Sequence, residues 1–152
     1  MGDVPASSAD RVTLERVTTP TQEVVDAAQR LYPQLTGGEV PGAQVLARVL
    51  SSAGTFLFIA RCDGLIVGMV TLVVYEVLTG TTANVEELVV DSRYHRRGIG
   101  ERLMRELISQ ARAEGADGIA LTSHPTREAA NRLYGRLGFE LGGTNYFWLD
   151  LR

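Results

Sequence analysis

Residues 85–101 of this 152-residue chain read VEELVVDSRYHRRGIGE, and this stretch decides the fold. Its first half is rich in valine and leucine around two glutamates, a pattern typical of a strand. In its second half, Gly98 and Gly100 stand where the apolar period changes to that of a helix. Glycines there leave backbone N–H groups uncovered at the helix N-terminus, and Arg96 and Arg97 add positive charge beside them. The stretch therefore predicts either a phosphate-binding turn or an ordinary tight turn with exposed arginines.

The segments around this stretch change repeatedly between strand and helix periodicity. Upstream, the pattern predicts strands at 11–17, 56–62, 65–77 and 84–91, helices at 21–32 and 43–52, and a loop at 34–42. Downstream, it predicts helices at 98–114 and 127–137, a short strand at 118–123 and a closing strand at 145–151. A three-strand meander followed by a strand–helix–strand unit indicates an α+β domain. We expect a mixed, mostly antiparallel sheet flanked by about four helices.

Length and composition limit the classes of protein. The 152 residues predict a single domain at 11–152 behind a flexible tail at 1–10, and 45% apolar residues exclude wholesale disorder. Fifteen basic against eighteen acidic residues give a net charge of −3, the wrong sign for a protein that holds nucleic acid by its phosphates. The longest apolar stretch, 65–75, is too short to span a bilayer, and one cysteine cannot form an internal disulfide or a cysteine metal cluster. These features predict a cytoplasmic protein with no metal, membrane or nucleic-acid partner.

A second motif occupies residues 127–139, which read REAANRLYGRLGF. In a helix, Arg127, Asn131 and Tyr134 share one face because they lie three to four residues apart. A face with a guanidinium, an amide and a phenol is polar enough to line a cleft. The alternative for Tyr134 is an amphipathic tyrosine of the core.

Together the two motifs resemble those of the GNAT superfamily of N-acetyltransferases, and the resemblance runs over about residues 12–151. The family's cofactor motif is Gln/Arg-x-x-Gly-x-Gly/Ala, and His95 stands at its first position here. The later motif is Asn-x-x-Ala-x-x-Leu/Phe-Tyr-x-x-x-Gly-Phe, and Arg127 stands at its Asn position. The resemblance implies a GNAT-like acyl-CoA N-acyltransferase fold and an enzyme that uses acetyl-CoA as cosubstrate.

The resemblance also implies which residues bind the cosubstrate. Backbone groups of Leu88 and Val90 would pair with the pantetheine arm, and amides from Arg96 through Glu101 would hold the pyrophosphate. A backbone N–H near Val89 would face the thioester oxygen. The implied cofactor-binding residues are Leu88, Val89, Val90, His95, Arg96, Arg97, Gly98, Ile99, Gly100, Glu101, Arg127 and Asn131.

The implied reaction is direct attack of an amine on the thioester, and an ammonium must first lose a proton to a base. Alternation along a strand predicts that Glu86 shares a face with Asn84, Leu88 and Val90, with Glu87 on the other. This favours Glu86 as the general base, with Glu87, or no dedicated base, as alternatives. By its position in the family motif, Tyr134 would be the general acid that protonates the CoA thiolate.

The acceptor is predicted only as a class, an amine of a small molecule or of a peptide or protein. By resemblance, residues 32–46 and a last hairpin at 142–146 would contact it, and Glu39 is the one charge in the first loop. A homodimer is a further expectation from the family. Two rival readings are a non-catalytic acyl-CoA-binding sensor or scaffold of the same fold, and a phosphate-binding regulatory domain unrelated to CoA.

Overall fold

A computed structural model describes residues 11–38 and 42–152. They form two compact units, one ending at Thr122 and one comprising Ser123–Arg152. The predicted tail at 1–10 and Glu39 lie outside the described residues. The first unit contains β1 (Val12–Val17), α1 (Gln22–Leu31), α2 (Pro33–Thr36), α3 (Ala43–Ser51), β2 (Thr55–Cys62), β3 (Leu65–Val77), β4 (Gly80–Val90), α4 (Ile99–Ala113) and β5 (Gly118–Ala120). The second contains α5 (Glu128–Arg136).

The strands form one five-stranded sheet in the order β1-β2-β3-β4-β5. The first four pair antiparallel with their sequence neighbours, and β5 pairs parallel to β4. A parallel neighbour requires a crossover connection, which α4 supplies. The predicted mixed, mostly antiparallel sheet is therefore confirmed.

Helices cover both faces of this sheet. One face carries α1 and α3, whose Val25, Leu31 and Leu46 belong to the same buried cluster as Met69. The preceding residue, Gly68, faces the other side of the sheet, where a Cβ atom would lie 2.9 Å from Leu103 of α4. Glycine at this position allows the close approach of α4 to β3.

The first helix begins as its sequence indicates, with the Thr21 hydroxyl accepting a hydrogen bond from the Val24 amide. The loop predicted at 34–42 is partly wrong, because residues 33–36 form the single turn α2. Pro33 stands at the first helical position, where its missing N–H costs nothing, so it ends α1 and begins α2. Gly37, with φ of 63°, ends that turn.

A β-bulge interrupts β4 and changes which side chains share a face. Thr71 of β3 pairs with Glu86, whereas Met69 pairs with Val89, so β4 carries one extra residue between these pairs. Glu87 takes up the extra residue in a left-handed conformation with φ of 57°. Paired residues share a face, so Glu86 lies on the face of Thr71 and Met69, opposite Val90. The predicted common face for Asn84, Glu86, Leu88 and Val90 is therefore wrong, because alternation holds only in a strand without a bulge.

The closing strand predicted at 145–151 is also wrong. Residues 137–152 form neither helix nor strand, and β5 is shorter than predicted, ending at Ala120. The side-chain pattern there is that of a strand, but a strand needs a hydrogen-bonded partner, and the described C-terminal unit contains no strand. The aromatic residues Phe147 and Trp148 are exposed.

Candidate functional site

The connection between β4 and α4, residues 91–98, is called here the β4–α4 turn. It begins at Asp91, which is almost fully buried. The Asp91 carboxylate accepts hydrogen bonds from the Arg93 amide at 3.0 Å and from the Arg93 guanidinium at 2.8 Å. These bonds and the Arg93 charge hold the pKa of Asp91 below its usual value. Asp91 thus anchors a single 3₁₀ turn, Ser92–Tyr94, at the end of the strand.

The second half of the turn presents backbone groups. Arg96 and Gly98 have φ of 63° and 72°, and Gly98 is the N-cap of α4. No side chain caps this helix end, and a Cβ built on Gly98 would meet nothing within 4 Å. The carboxylate of Glu101 is paired with Arg105 at 3.4 Å. The first amides of α4 therefore face open space with the positive end of the helix dipole, an arrangement that suits an anion.

Three side chains of the turn have defined surroundings. His95 donates a hydrogen bond from Nε2 to the Val90 carbonyl at 2.8 Å, since a carbonyl oxygen can only accept. The Arg97 guanidinium lies 4.9 Å from the ring centre of Tyr94. Arg96 and Arg97 are exposed. The histidine at the family's Gln/Arg position thus ties the turn to the end of β4.

The edge of β4 that faces β5 is only partly paired. β5 pairs with Thr82–Asn84, and no strand among the described residues pairs with this edge from Val85 to Val90. Leu88 and Val90 lie on this segment. The Val90 carbonyl already accepts from His95, and the remaining edge groups of this segment can bind an extended amide-containing ligand as another strand would. Together with the uncapped α4 terminus, this segment fits the pantetheine arm and pyrophosphate of an acyl-CoA.

Both predicted base candidates lie at the bulge and are exposed. Partial loss of solvent around the Glu86 carboxyl raises its pKa, and the negative charge of Glu87 raises it further. A glutamate with a raised pKa is better matched to taking a proton near neutral pH. The left-handed conformation of Glu87 costs a non-glycine residue roughly 1–2 kcal/mol, so the bulge carries strain at this point.

A cavity of about 420 Å³ opens between α1, α3 and the sheet, and is called here the α1–α3 cavity. The described residues around it are mainly aliphatic or hydroxyl-bearing: Val25, Ala28, Tyr32, Thr36, Gly42, Val45, Leu46, Val49, Thr55, Leu57, Met69, Thr71 and Glu87. Burial raises the pKa of the Tyr32 hydroxyl, as do the charge of Glu87 and a hydrogen bond to it. A hydrogen bond with Thr71 opposes this shift.

Sequence reasoning missed the grouping of Tyr32, Thr71 and Glu87. The apolar face of α1 includes Tyr32, and a tyrosine at helical spacing is typical of a core. Thr71 gives no signal of its own inside a run of valines and leucines. The three residues meet only because β3 and β4 pair through a bulge beneath the end of α1.

The second motif lies in the C-terminal unit. Tyr134 is buried, with its ring 6.0 Å from Phe139 in an edge-on arrangement. Burial raises the pKa of its hydroxyl, and the charge of Arg127 opposes the shift. Arg127 is the N-cap residue of α5, and the Asn131 side chain donates to the His124 carbonyl at 3.1 Å. The burial of Tyr134 against Phe139 matches the alternative of an amphipathic core tyrosine, and a polar cleft face for Arg127, Asn131 and Tyr134 stays a prediction. Both glutamates and the β4–α4 turn belong to the first unit.

Two other features of the described residues bear on function. Within the described part of the chain, no helix is long and apolar enough to cross a membrane. Among those same residues, no three His, Cys, Asp or Glu side chains are grouped as metal ligands.

A family comparison agrees with the motifs and the fold. The acetyltransferase (GNAT) family model matches residues 21–139, well over half of the chain. The chain therefore belongs to this family. Human N-acetyltransferase 8 is 29% identical over 100 residues, which cover 64% of this chain and 44% of that protein. The chain spans less than half the length of the curated relatives it matches.

Solved structures share the fold at low sequence identity. An aminoglycoside acetyltransferase, meta-AAC0020 from an uncultured soil metagenomic sample in complex with sisomicin, has a TM-score of 0.84 and 18% identity, covering 96% of this chain and 100% of its own. The aminoglycoside N-acetyltransferase AAC(6')-Iy in complex with CoA has a TM-score of 0.76 and 18% identity, covering 93% and 95%. At these identities the likeness establishes the fold alone.

Proposed function

We propose that this protein transfers an acetyl group from acetyl-CoA to a primary amine. The observation that carries the proposal is the continuity between two backbone surfaces: the unpaired β4 edge at Val85–Val90 leads directly into the uncapped N-terminus of α4. Family membership supports acyl transfer as the general chemistry.

Acetyl-CoA would supply an acetyl group activated as a thioester. Leu88 and Val90 would offer backbone groups to its pantetheine arm, and the amides from Arg96 to Glu101 would hold its pyrophosphate. A backbone N–H near Val89 would stabilise negative charge on the thioester oxygen. The His95 ring is hydrogen-bonded to the Val90 carbonyl, so we assign His95 the role of positioning the β4–α4 turn.

Glu86 would act as the general base. The ammonium proton passes to its carboxylate, directly or through water, and the amine nitrogen then forms a bond to the acetyl carbon. The raised pKa of Glu86 supports this role, because a carboxylate with a higher proton affinity removes an ammonium proton more readily. Glu87 remains the alternative base.

Tyr134 would donate a proton to the CoA thiolate as the carbon–sulfur bond breaks. Its raised pKa keeps the phenol protonated across the neutral range, which is the form that can donate. The assignment depends on its place in the family motif, since the C-terminal unit is described by itself. Arg127 and Asn131 would contact the pantetheine arm from the same unit.

Calorimetric titration of the whole chain with acetyl-CoA, with CoA and ATP as controls, tests the cosubstrate. Micromolar binding of acetyl-CoA that ATP does not match supports the proposal, and release of CoA on adding amines then establishes transfer. Acetyl-CoA binding without CoA release from any amine would favour the non-catalytic sensor. Affinity for ATP alone would favour the phosphate-binding regulatory domain.

A further inference from the structure

We propose that the α1–α3 cavity binds the acceptor, and that the acceptor is a small primary amine with a single positive charge and an apolar body. This inference rests on the proposed acyl transfer and names its substrate class. Glu87 would hold the ammonium group, and the aliphatic walls would enclose the body.

The negative charge in the cavity favours a positively charged ligand. Glu87 is the only charged side chain among the described residues that line it. The Tyr32 and Thr71 hydroxyls line the same cavity as that carboxylate, and the Glu87 charge acts on the Tyr32 hydroxyl. A ligand that covers a carboxylate without compensating its charge pays a large desolvation cost, whereas an ammonium group forms a charge-assisted hydrogen bond.

The walls of the cavity favour an amine whose body is apolar. Seven of the lining residues are aliphatic, namely Val25, Ala28, Val45, Leu46, Val49, Leu57 and Met69. The cavity, about 420 Å³, is in the range that holds a small organic molecule, roughly 300–1,000 Å³. Such a surface binds an aryl or alkyl group by removing apolar area from water.

The same observations weigh against two other occupants. A polycationic, polyhydroxylated amine needs several carboxylates, and a single one would leave its remaining ammonium groups buried without partners. A long acyl chain is neutral and would cover Glu87 without compensating it. Among the described residues that line this aliphatic cavity there is one carboxylate, which points to a monocation.

The bulge relates this cavity to the proposed chemistry. Glu86 pairs with Thr71, which lines the cavity, so Glu86 and the cavity share one face of the sheet. A nitrogen held at Glu87 lies one residue along β4 from the proposed base. The two carboxylates thus divide the work, with Glu87 holding the ammonium and Glu86 accepting its proton.

Direct binding tests the inference without requiring turnover. Calorimetry on the whole chain with saturating CoA would compare phenethylamine with 2-phenylethanol, ethanolamine and sisomicin. We expect phenethylamine to bind about tenfold or more tightly than each of the other three, because only it combines one charge with an apolar body. Equal or tighter binding of ethanolamine or sisomicin overturns the inference.

Substitutions in the cavity lining test whether the preference for phenethylamine arises in the cavity. Glu87→Gln should remove the preference for phenethylamine over 2-phenylethanol, so that the ratio of their dissociation constants comes close to one. Val45→Asn should lower the preference for phenethylamine over ethanolamine several-fold, because Val45 lines the cavity yet is 37% exposed, so the fold tolerates the change. Val77→Asn is the matched control, a valine 44% exposed outside the cavity lining, and should leave both preferences unchanged. Persistence of the amine preference in Glu87→Gln, or equal effects of the two valine variants, contradicts the inference.

The design separates this inference from the proposed function. Phenethylamine binding that depends on Glu87, with no affinity for acetyl-CoA, supports the cavity and removes the acetyltransferase. CoA release with sisomicin but not with phenethylamine supports the acetyltransferase and removes the inferred substrate class. Octanoyl-CoA that binds more than tenfold tighter than acetyl-CoA and displaces phenethylamine assigns the cavity to an acyl chain and overturns the inference.

Discussion

The α1–α3 cavity includes the bulge of β4, the β4–α4 turn follows the end of that strand, and the two regions are built by different means. The turn is made of consecutive residues, and it presents backbone amides at the end of a helix. The described part of the cavity lining comes from α1, α2, α3 and three strands, with one carboxylate among those residues. Backbone amides bind whatever anion reaches them, whereas a wall of side chains changes with every substitution. We therefore expect the turn to determine the cosubstrate and the cavity to determine the acceptor.

The largest effect is expected at Glu86, between the two regions. Glu86→Gln should lower kcat by about 10²–10⁴-fold, the range of general acid–base catalysis, with little change in affinity for acetyl-CoA. In the wild type the rate should fall as pH falls through the raised pKa of Glu86, because protonation removes the base. The variant should lose this acidic limb of the pH–rate profile.

Glu76→Gln, which changes a glutamate near the exposed end of β3, is the control for Glu86→Gln and should keep both rate and profile. An unaltered acidic limb in Glu86→Gln would remove Glu86 as the base and direct the same measurement to Glu87.

Tyr134→Phe tests whether catalysis needs a group from outside both regions. We expect kcat to fall tenfold or more, at the lower end of general-acid effects, with acetyl-CoA affinity nearly intact. Tyr75→Phe, at a half-exposed tyrosine of β3, is the control. Steady-state kinetics with thiol detection is the measurement, and an unchanged kcat would exclude Tyr134 from the mechanism.

The independence of the two regions is tested at Gly98. Gly98→Ala forces a side chain onto φ of 72° at a cost of roughly 1–2 kcal/mol, which should lower acetyl-CoA affinity about tenfold by turning the α4 amides. Gly115→Ala places the same strain, at φ of 78°, just beyond the other end of α4. It should lower stability by a similar amount without changing the affinity. An equal loss of affinity in both variants would mean that helix stability, and not the turn, determines binding.

The smallest effect is a change in stability at Asp91. Asp91→Asn should cost about 1–2 kcal/mol by removing charge-assisted hydrogen bonds to Arg93. Because the pKa of Asp91 is lower in the folded state, its contribution is complete above the unfolded value, about 3.9, and is lost as pH falls through the folded value. Urea unfolding between about pH 5 and pH 2 should therefore show a shallower loss of stability in the variant. Asp63→Asn removes an exposed pair with Arg11 and should cost less than about 0.5 kcal/mol.

The same contrast explains how much of the molecule could be predicted from its sequence. The turn could be predicted because Gly98 and Gly100 act through local backbone geometry that residue type and spacing encode, whereas the anchoring role of Asp91 emerged only from the structure. The meander could be predicted because each of its three strands follows a local sequence pattern. The cavity could not be predicted from the sequence, because it depends on the pairing of Thr71 with Glu86, a long-range contact that the type of neither residue indicates.

Two local predictions failed for related reasons. Alternation placed Glu86 with Val90, but a single left-handed residue at Glu87 reverses the relation, and nothing in a Glu-Glu pair announces a bulge. The aromatic pattern at 145–151 predicted a strand, but pattern alone does not supply the hydrogen-bonded neighbour that a strand requires. In both cases the deciding interaction lies outside the segment itself.

The strand that joins the two regions also sets their spacing. Asp91 lies four positions after Glu87, which corresponds to about 13 Å of extended chain at roughly 3.3 Å per residue. Insertion of one residue after the bulge would lengthen this separation by roughly one quarter and would also turn every later side chain to the opposite face. We therefore expect gain or loss of a single codon here to impair binding of both the proposed cosubstrate and the proposed acceptor, and substitutions in the cavity to change acceptor binding alone. Divergence of acceptor specificity in relatives should accordingly proceed by substitution in α1 and α3, with the length of β4 between bulge and turn kept constant.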